Sequence, residues 1–512
     1  MNLFMDHSKK FYIATPIYYV NDVPHIGHLY TTLACDMIAR FKSLDGYSVK
    51  FITGTDEHGQ KVEKAAMTAG KNPKEFVDTV SQNFRDLATF MQFSHTDFVR
   101  TTEPRHYKAA QHIWKELLDR DEIYLGEYAG WYAIRDETYY QESEIIDGKA
   151  PTGADVEWVT EPSYFFRLSK WQEPLLKFYK ENPDFIAPDS RRNEVLRFVE
   201  GGLHDLSVSR ASFKWGVPVP GDPAHVMYVW LEALTFYLTA LEYPENSEER
   251  DEYWANSLLV VGKDILRFQS IYFPAFLLAA GLPPPTRVFA HGWWTIEGEK
   301  MSKSLGNVID PNALVEKYGR DPVRYFLLRE IPFGNDGDFS VSALISRLNS
   351  DLANSYGNLV QRVLSFIGKT CGGVLPNPES LLPLDEELLL SAKNLITTLR
   401  SDIEKQLLHK MIEQIWHLIA QANRYIDEQK PWSLKEEDPA RMGTILYVLA
   451  ETIRQIAILT QPLLPEASAR ILDQLAIPED KRTFAHLVSA LVPGTTLPAP
   501  EGVFPRWVEE KL

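Results

Sequence analysis

Two short clusters in this chain carry side chains suited to phosphate chemistry. His25-Ile26-Gly27-His28 stands where an apolar, helix-like pattern begins, and Lys300-Met301-Ser302-Lys303-Ser304 follows Gly298 in a polar loop. A helix N-terminus exposes amide N–H groups and the positive end of the peptide dipole, so it attracts anions. Gly27 lets backbone and guest approach each other, and two imidazoles add donors. Lysine is a flexible point charge that can follow negative charge as it develops on a leaving pyrophosphate. Two other readings stay open for the histidines: a metal set with His58, although no carboxylate group accompanies it, and a structural pair at a helix start.

Such residues need a scaffold, and the first half of the chain supplies the text of one. Phe11 to Ala14, Val49 to Ile52, Leu258 to Val261 and Arg287 to Ala290 read as buried strands, while Leu29, Leu33, Met37 and Phe41 form a helical stripe between the first two. Apolar runs alternating with helical periods predict a parallel sheet with crossover helices. Ligands of such sheets bind outside the carboxyl ends of the strands. All four strands are followed there by polar, glycine-containing text: Thr15 to His28, Thr53-Gly54-Thr55-Asp56-Glu57-His58-Gly59, Gly262-Lys263-Asp264 and His291-Gly292-Trp293. From about Tyr124 to Pro223 the text turns aromatic and alternating, which predicts a separate α+β insertion. From Ser342 onward Ile345, Leu348, Leu352, Tyr356, Leu359 and Val363 recur at helical spacing, and further helices are predicted over 385–401, 407–426, 442–459 and 465–475. The last third therefore reads as a helical bundle.

Bulk properties bound the answer. A length of 512 residues suggests three or four domains at about 150 residues each. A formal charge of −17 argues against non-specific coating of nucleic acid. With Cys35 and Cys371 the only cysteines, a disulfide framework and a four-cysteine zinc site are excluded by count, and a reducing compartment fits. The opening residues carry no signal-peptide pattern. The stretch near Ile271 to Leu282 reads as the most apolar, and it is interrupted by Pro274 and closed by Pro283, so no membrane span is expected.

The histidine and lysine motifs together resemble the two signatures of class I aminoacyl-tRNA synthetases. The text around them is similar to the methionyl-tRNA synthetase family in particular: Thr53 to Gly59, Tyr228-Val229-Trp230-Leu231-Glu232-Ala233-Leu234, Gly262-Lys263-Asp264-Ile265 and Phe289-Ala290-His291-Gly292. The resemblance covers nearly the whole chain. It implies that ATP, with Mg²⁺, and L-methionine form methionyl-adenylate before methionine passes to its tRNA, the initiator included, in the cytoplasm. It implies an α/β fold: a Rossmann-like catalytic domain in two halves, 1–123 and 224–296, an inserted connective domain 124–223, a lysine-loop and stem-contact segment 297–341, and an anticodon-binding helical domain 342–512.

By position in the matching motifs, His25, His28, Lys300 and Lys303 would handle the phosphates, with Gly27 and Ser302 beside the nucleotide. Gly262 and Asp264 would hold the ribose and His291 would lie by the nucleotide. Asp56 would take the methionine ammonium and Arg210 its carboxylate, while Ile17, Tyr19, Val229, Trp230, Ala233, Tyr237 and Phe268 would wall its thioether. Physical sense supports this, since a strand-end carboxylate pairs with an ammonium and aromatic rings suit a soft sulfur. Trp230 and Tyr237, seven apart on a helix, would in most proteins be core residues. Asn358 and Arg362 share a helical face, and Pro431-Trp432 offers an aromatic at a helix end; these match the family's anticodon-reading positions.

Three departures from the family pattern stand out. The stretch Trp131 to Thr138 lacks the cysteine zinc ligands of many relatives, so no structural zinc is expected, and Trp131, Tyr132, Tyr139 and Tyr140 are expected to pack in its stead. Gln269 and Phe273 stand where His and Trp are expected, which alters the lining of the methionine pocket. Glu232 stands where many relatives have Asp. The chain ends soon after the bundle, which suggests a monomer. Isoleucine, valine and leucine enzymes carry an editing domain for which the interruption is too short, and cysteine enzymes need zinc thiolates. A small nucleotidyltransferase would not use the helical domain, and a catalytically dead tRNA-binding regulator would be expected to lose the histidines or lysines.

Overall fold

A computed structural model describes residues 9–20, 23–136, 138–140, 142–245, 248–296, 298–300 and 308–508. Ser302 and Lys303 lie outside the described residues, and of Lys300 only the backbone is described. The chain divides into two compact units, one of Lys10–Cys35 and Lys50–His291, the other of Met1–Lys9, Asp36–Val49 and Gly292–Leu512.

The first unit is built on a parallel sheet. Its strands run in the order Tyr18–Tyr19, Ser48–Asp56, Lys10–Ala14, Ser257–Gly262, Arg287–His291 and Ile186–Ala187, with Asp97–Arg100 also paired to Ser48–Asp56. The central strands carry continuous apolar runs because helices cover both faces; Tyr12, Ile13, Leu259, Val260 and Val261 have no exposure. The helix Ile26–Leu44 starts at the histidine motif, and its predicted stripe, Leu29, Leu33, Met37 and Phe41, is fully buried. One antiparallel sheet of Thr138–Tyr140, Ile123–Ala133, Glu157–Phe166 and Leu206–Ser207 makes up much of the interruption, and Ser209–Arg210, Asp222–Met227 and Pro218–Val219 form another.

The interruption is not separate along its whole length. Ile186–Ala187 pairs with Arg287–His291 at the edge of the central sheet, and Tyr179, Phe185, Val195 and Val199 share one apolar core with Leu259 and Val261. A two-residue strand carries too little alternation to be read from sequence. Where zinc is not expected, aromatic side chains pack: Trp131 meets Trp158 edge to face at 5.4 Å, and the Tyr140 hydroxyl donates to Asp136 at 3.0 Å. Tyr132 is buried, and Tyr139 lies opposite it in the strand register.

In the second unit, the strands Trp294–Ile296, Glu299–Lys300 and Gly337–Phe339 form a small sheet in which Lys300 pairs with Thr295. One Asp338 oxygen accepts from Gly298 N–H at 2.8 Å and from the Thr295 hydroxyl at 2.7 Å, fixing the hairpin from which the lysine loop leaves. The helices Pro383–Glu404, Leu408–Gln429, Pro439–Thr460 and Pro465–Gln474 form the bundle. The helical stripe from Ile345 to Val363 is not one regular helix: Val341–Arg347 passes into a wider π-helical stretch, Leu348–Gly357, before Asn358–Thr370. Spacings of three and four do not distinguish the two windings.

The most apolar long helix is Pro439–Thr460 rather than the Ile271–Leu282 stretch. It has a mean hydropathy of 1.4 over 18 residues, long and apolar enough to cross a membrane, yet that window is wholly buried within the protein. Glu451 and Arg454 pair along it at 2.6 Å, and Glu451 also accepts from Leu491 N–H.

Candidate functional site

The amino end of the helix Ile26–Leu44 is organised by its two histidines. The His25 backbone N–H donates to His28 Nδ1 at 3.1 Å, and the Gly27 N–H donates to His25 Nδ1 at 3.0 Å. A neutral imidazole carries one ring proton, so with both Nδ1 atoms accepting, both protons sit on Nε2. The rings stack at 3.8 Å, and His28 also meets Tyr18 at 4.7 Å and Phe84 at 5.2 Å. Burial pushes the pKa of each ring down; the nearby Asp264 carboxylate partly opposes this for His25, and His25 lowers His28 further. The pair is thus neutral and presents two Nε2–H donors. A Cβ at position 27 would lie 2.8 Å from His25 Cε1, so glycine leaves the ring room to stand where it does.

Two adjacent strand ends complete this side. Gly262 and His291 are register partners, and His291 Nε2 lies 2.8 Å from the Thr31 hydroxyl. A Cβ on Gly262 would meet an Asp264 carboxylate oxygen at 2.5 Å, so the glycine makes room for that side chain to fold back. Asp264 itself is exposed. The structure therefore gathers His25, Gly27, His28, Gly262, Asp264 and His291 within one unit.

Several of the residues expected to hold an amino acid lie by the carboxyl ends of the strands. Asp56, 3% exposed, ends its strand in register with Tyr19. Tyr228, Val229 and Ala233 form a buried cluster against Ile17, Tyr19 and Trp230, and Trp230 stacks on Phe268 at 3.5 Å with the planes 6° apart. Tyr237 is placed differently: it belongs to the larger core, its ring against Phe273 at 5.3 Å and its carbonyl accepting from the Tyr12 hydroxyl. The residues between Trp230 and Tyr237 form two short helices, Val229–Leu234 and Phe236–Thr239, rather than one. Gln269 and Phe273 are both buried, Gln269 on the π turn Phe268–Tyr272.

Arg210 is 1% exposed and engaged by the protein. Its Nη1 donates to Ser207 Oγ at 2.7 Å and to the Ser209 carbonyl at 2.6 Å, its Nε lies 3.9 Å from Glu161, and its guanidinium stacks on Tyr228 at 3.7 Å. His58 is not part of a metal set with His25 and His28. Both of its nitrogens are committed elsewhere, Nδ1 to Glu232 at 2.9 Å and Nε2 to the Tyr107 hydroxyl at 3.0 Å.

Several residues of this region were not singled out from the sequence. Glu57 receives both Nε and Nη2 of Arg100 and the Thr102 and Thr55 hydroxyls, which locks the strand end beyond Asp56. His106 Nε2 reaches Glu232 at 2.9 Å. Glu161 and Tyr228 flank Arg210. Apart from Thr55 to Glu57, these contacts join residues 18 or more apart in the chain, so no local pattern announces them.

In the bundle, Arg362 donates to Asp427 at 2.8 Å and lies 5.7 Å above the Trp432 ring. Trp432 is 47% exposed and follows the buried Pro431, while Asn358 is exposed one turn before Arg362. Lys430, at φ 42°, turns the chain out of the helix Leu408–Gln429 so that the indole emerges beside Arg362.

The family described as tRNA synthetases class I (M) matches residues 11–158 and 152–364, and the anticodon binding domain of methionyl tRNA ligase matches 375–512. The chain belongs to the class I methionyl-tRNA synthetases. Relatives in the family include the methionine–tRNA ligases of Rickettsia bellii, 53% identical over 98% of this chain and all of that one, and of Mesorhizobium japonicum, 51% identical over 98% of each. Mycobacterium tuberculosis methionyl-tRNA synthetase in complex with methionyl-adenylate is 48% identical and superposes with a TM-score of 0.95 over 97% of this chain and all of that one. The apo form of that enzyme gives 0.89 at 45% identity, covering 98% of this chain and 99% of that one.

Proposed function

We propose that this chain activates L-methionine with ATP and transfers it to methionine tRNA. The observation that carries the reading is the neutral pair His25 and His28, with two Nε2–H donors at a helix N-terminus beside Gly262, Asp264 and His291. The methionine carboxylate attacks the α-phosphorus of ATP; an oxygen–phosphorus bond forms and the bond to pyrophosphate breaks. The two imidazoles donate to phosphate oxygens as charge builds on them, a preorganised role that needs no movement at the moment of reaction. Lys300 and Lys303 follow the charge onto pyrophosphate, with Ser302 in the same loop. Asp264 and Gly262 take the ribose. Asp56 receives the ammonium, and Ile17, Tyr19, Val229, Trp230, Ala233 and Phe268 enclose the thioether. Arg210, stacked on Tyr228, takes the methionine carboxylate, and Tyr237, packed on Phe273, closes the thioether wall.

In the second step a ribose hydroxyl at the 3′ end of the tRNA attacks the acyl carbon and AMP leaves. Arg362 and Trp432, with Asn358 and Pro431, read the anticodon: the exposed indole offers a stacking face and the guanidinium a planar donor. Among the described residues no group of three or more His, Cys, Asp or Glu has metal-ligating geometry. Mg²⁺ would be supplied as the partner of the ATP phosphates, and no step is assigned to it. The enzyme acts as a monomer, in the cytoplasm.

The test is amino-acid-dependent exchange between ATP and labelled pyrophosphate, run with methionine and with isoleucine, valine, leucine and cysteine. Exchange with methionine alone is expected. Folded protein with Mg²⁺ that exchanges with none of them would overturn the reading and leave a tRNA-binding regulator.

A further inference from the structure

Behind the amino-acid side of the site lies a buried cluster that the chemistry above does not use. Glu232, 1% exposed, accepts at a single oxygen, Oε1, from His58 Nδ1 and from His106 Nε2, both at 2.9 Å. The far nitrogen of each ring is also occupied, His58 Nε2 by the Tyr107 hydroxyl at 3.0 Å and His106 Nδ1 by the Thr239 hydroxyl at 3.0 Å. Trp215 packs against His58 at 5.5 Å, accepts from Gly59 N–H and donates its indole N–H to the Glu57 carbonyl at 2.6 Å. Burial alone would raise the Glu232 pKa, but the two imidazoles beside it hold it below the usual carboxylate range, so the group accepts both bonds as a carboxylate.

The ends of this network are the two walls of one site. His58 stands two residues beyond Asp56, on a strand end already fixed by Glu57 and Arg100. Glu232 lies on the short helix Val229–Leu234 that carries Trp230 and Ala233. At 100° per residue, Glu232 points about 200° away from Trp230, to the side of the helix opposite its ring. A buried carboxylate held between imidazoles is not a cheap way to add stability, because apolar residues of like volume usually do as well. Its distinctive property is direction: two N–H bonds to one oxygen admit one arrangement of the three segments.

We propose that Glu232, by taking one hydrogen bond from His58 and one from His106, is a positioning residue that sets the spacing between Asp56 and the Trp230–Ala233 wall and so governs methionine affinity without touching the substrate. The inference rests on the reading of these two elements as the walls of the methionine site. His106 is the informative handle, since it lies on the helix Pro104–Asp119, outside both walls, and meets the wall helix at Glu232.

The experiment compares His106→Ala and His106→Gln in the full chain by methionine-dependent exchange. Loss of one buried, charge-assisted bond predicts a rise of about tenfold in the methionine KM of His106→Ala, with the KM for ATP within about twofold of the parent. Glutamine can place an amide N–H near the position of Nε2, so His106→Gln is expected to recover most of the affinity. A methionine KM unchanged in folded His106→Ala, a parallel rise in both KM values, or a glutamine variant no better than alanine would each overturn the proposal. Should His106→Ala not fold, Glu232→Gln decides: it keeps volume and acceptor but loses charge. It should raise the methionine KM by about threefold, and an unchanged value overturns the proposal. Absence of methionine-dependent exchange in the parent would instead defeat the assignment of function itself.

Discussion

Replacing His28 by asparagine separates the two jobs of that ring. The asparagine carbonyl can occupy the place of Nδ1 and accept the His25 N–H now held at 3.1 Å, but nothing replaces Nε2–H. If the Nε2 proton acts on phosphate charge in the transition state, its removal should lower kcat for exchange by about 10²- to 10³-fold, or roughly 3–4 kcal/mol, with the methionine KM little changed. The ring also contacts His25, Tyr18 and Phe84 at 3.8, 4.7 and 5.2 Å. Losing such aromatic neighbours predicts a destabilisation of about 1–3 kcal/mol, readable as a modest fall in Tm. His28→Gln has the opposite character: its amide can reach towards Nε2 but abandons the backbone acceptor. It should retain more rate than His28→Asn while being no more stable. The assay is pyrophosphate exchange at saturating methionine and ATP beside thermal melting. An asparagine variant keeping more than about a tenth of the parent kcat, or a glutamine variant slower than it, would refute the tautomer argument. The pH dependence carries the same logic. The folded pKa of His28 lies below its unfolded value, so its neutral form stabilises fully above the unfolded pKa and this contribution is lost as pH falls below it. Exchange should accordingly hold its plateau through the ordinary histidine range, where an unshifted ring would be half protonated.

Other outcomes follow from single observations. Gly27→Ala should cut exchange by about tenfold or more with little loss of Tm, because its methyl would displace the His25 ring; unchanged exchange would show that this ring position is unimportant. Asp321 is 4% exposed, its Oδ2 accepts from Ala467 N–H at 2.7 Å, and burial pushes its carboxyl up to about 6. A raised acid stabilises below its unfolded pKa and loses that contribution as pH rises through the folded one, so Asp321→Asn should be more stable than the parent by about 1–3 kcal/mol at pH near 8 and equal to it near pH 4; denaturant unfolding at both pH values decides. Trp432→Ala should weaken tRNA charging by about 1–3 kcal/mol in kcat/KM while leaving pyrophosphate exchange intact; equal loss in both assays would mark a folding defect. Metal analysis of protein purified without chelator should find well under about 0.1 zinc per chain, since neither Cys35 nor Cys371 lies in the insertion.

The parts legible in the sequence are those set by neighbours along the chain. Apolar runs ending in glycine and polar residues located Lys10–Ala14, Ser48–Asp56, Ser257–Gly262 and Arg287–His291, because a strand covered on both faces must be apolar throughout and its ligand-facing end cannot be. Tyr18–Tyr19 and Ile186–Ala187 were not legible, since two residues hold no period and their places in the sheet come only from pairing with Ser48–Asp56 and Arg287–His291. The same division runs through the site. His25 and His28 act on each other across three residues, so a motif contains them whole. Glu232 meets His106 and His58 across 126 and 174 residues, and its own surroundings read as an ordinary helix with one acid on it. Whether such an acid faces water or two imidazoles depends on which strand and which helix the fold brings beneath it. Groups that touch substrate are therefore announced by short motifs on strand ends, whereas groups that hold those strand ends in place emerge only once the sheet has closed. That asymmetry makes His106, invisible locally and bonded to the wall helix at Glu232, a sharper probe of how the methionine wall is held than any residue of the wall itself.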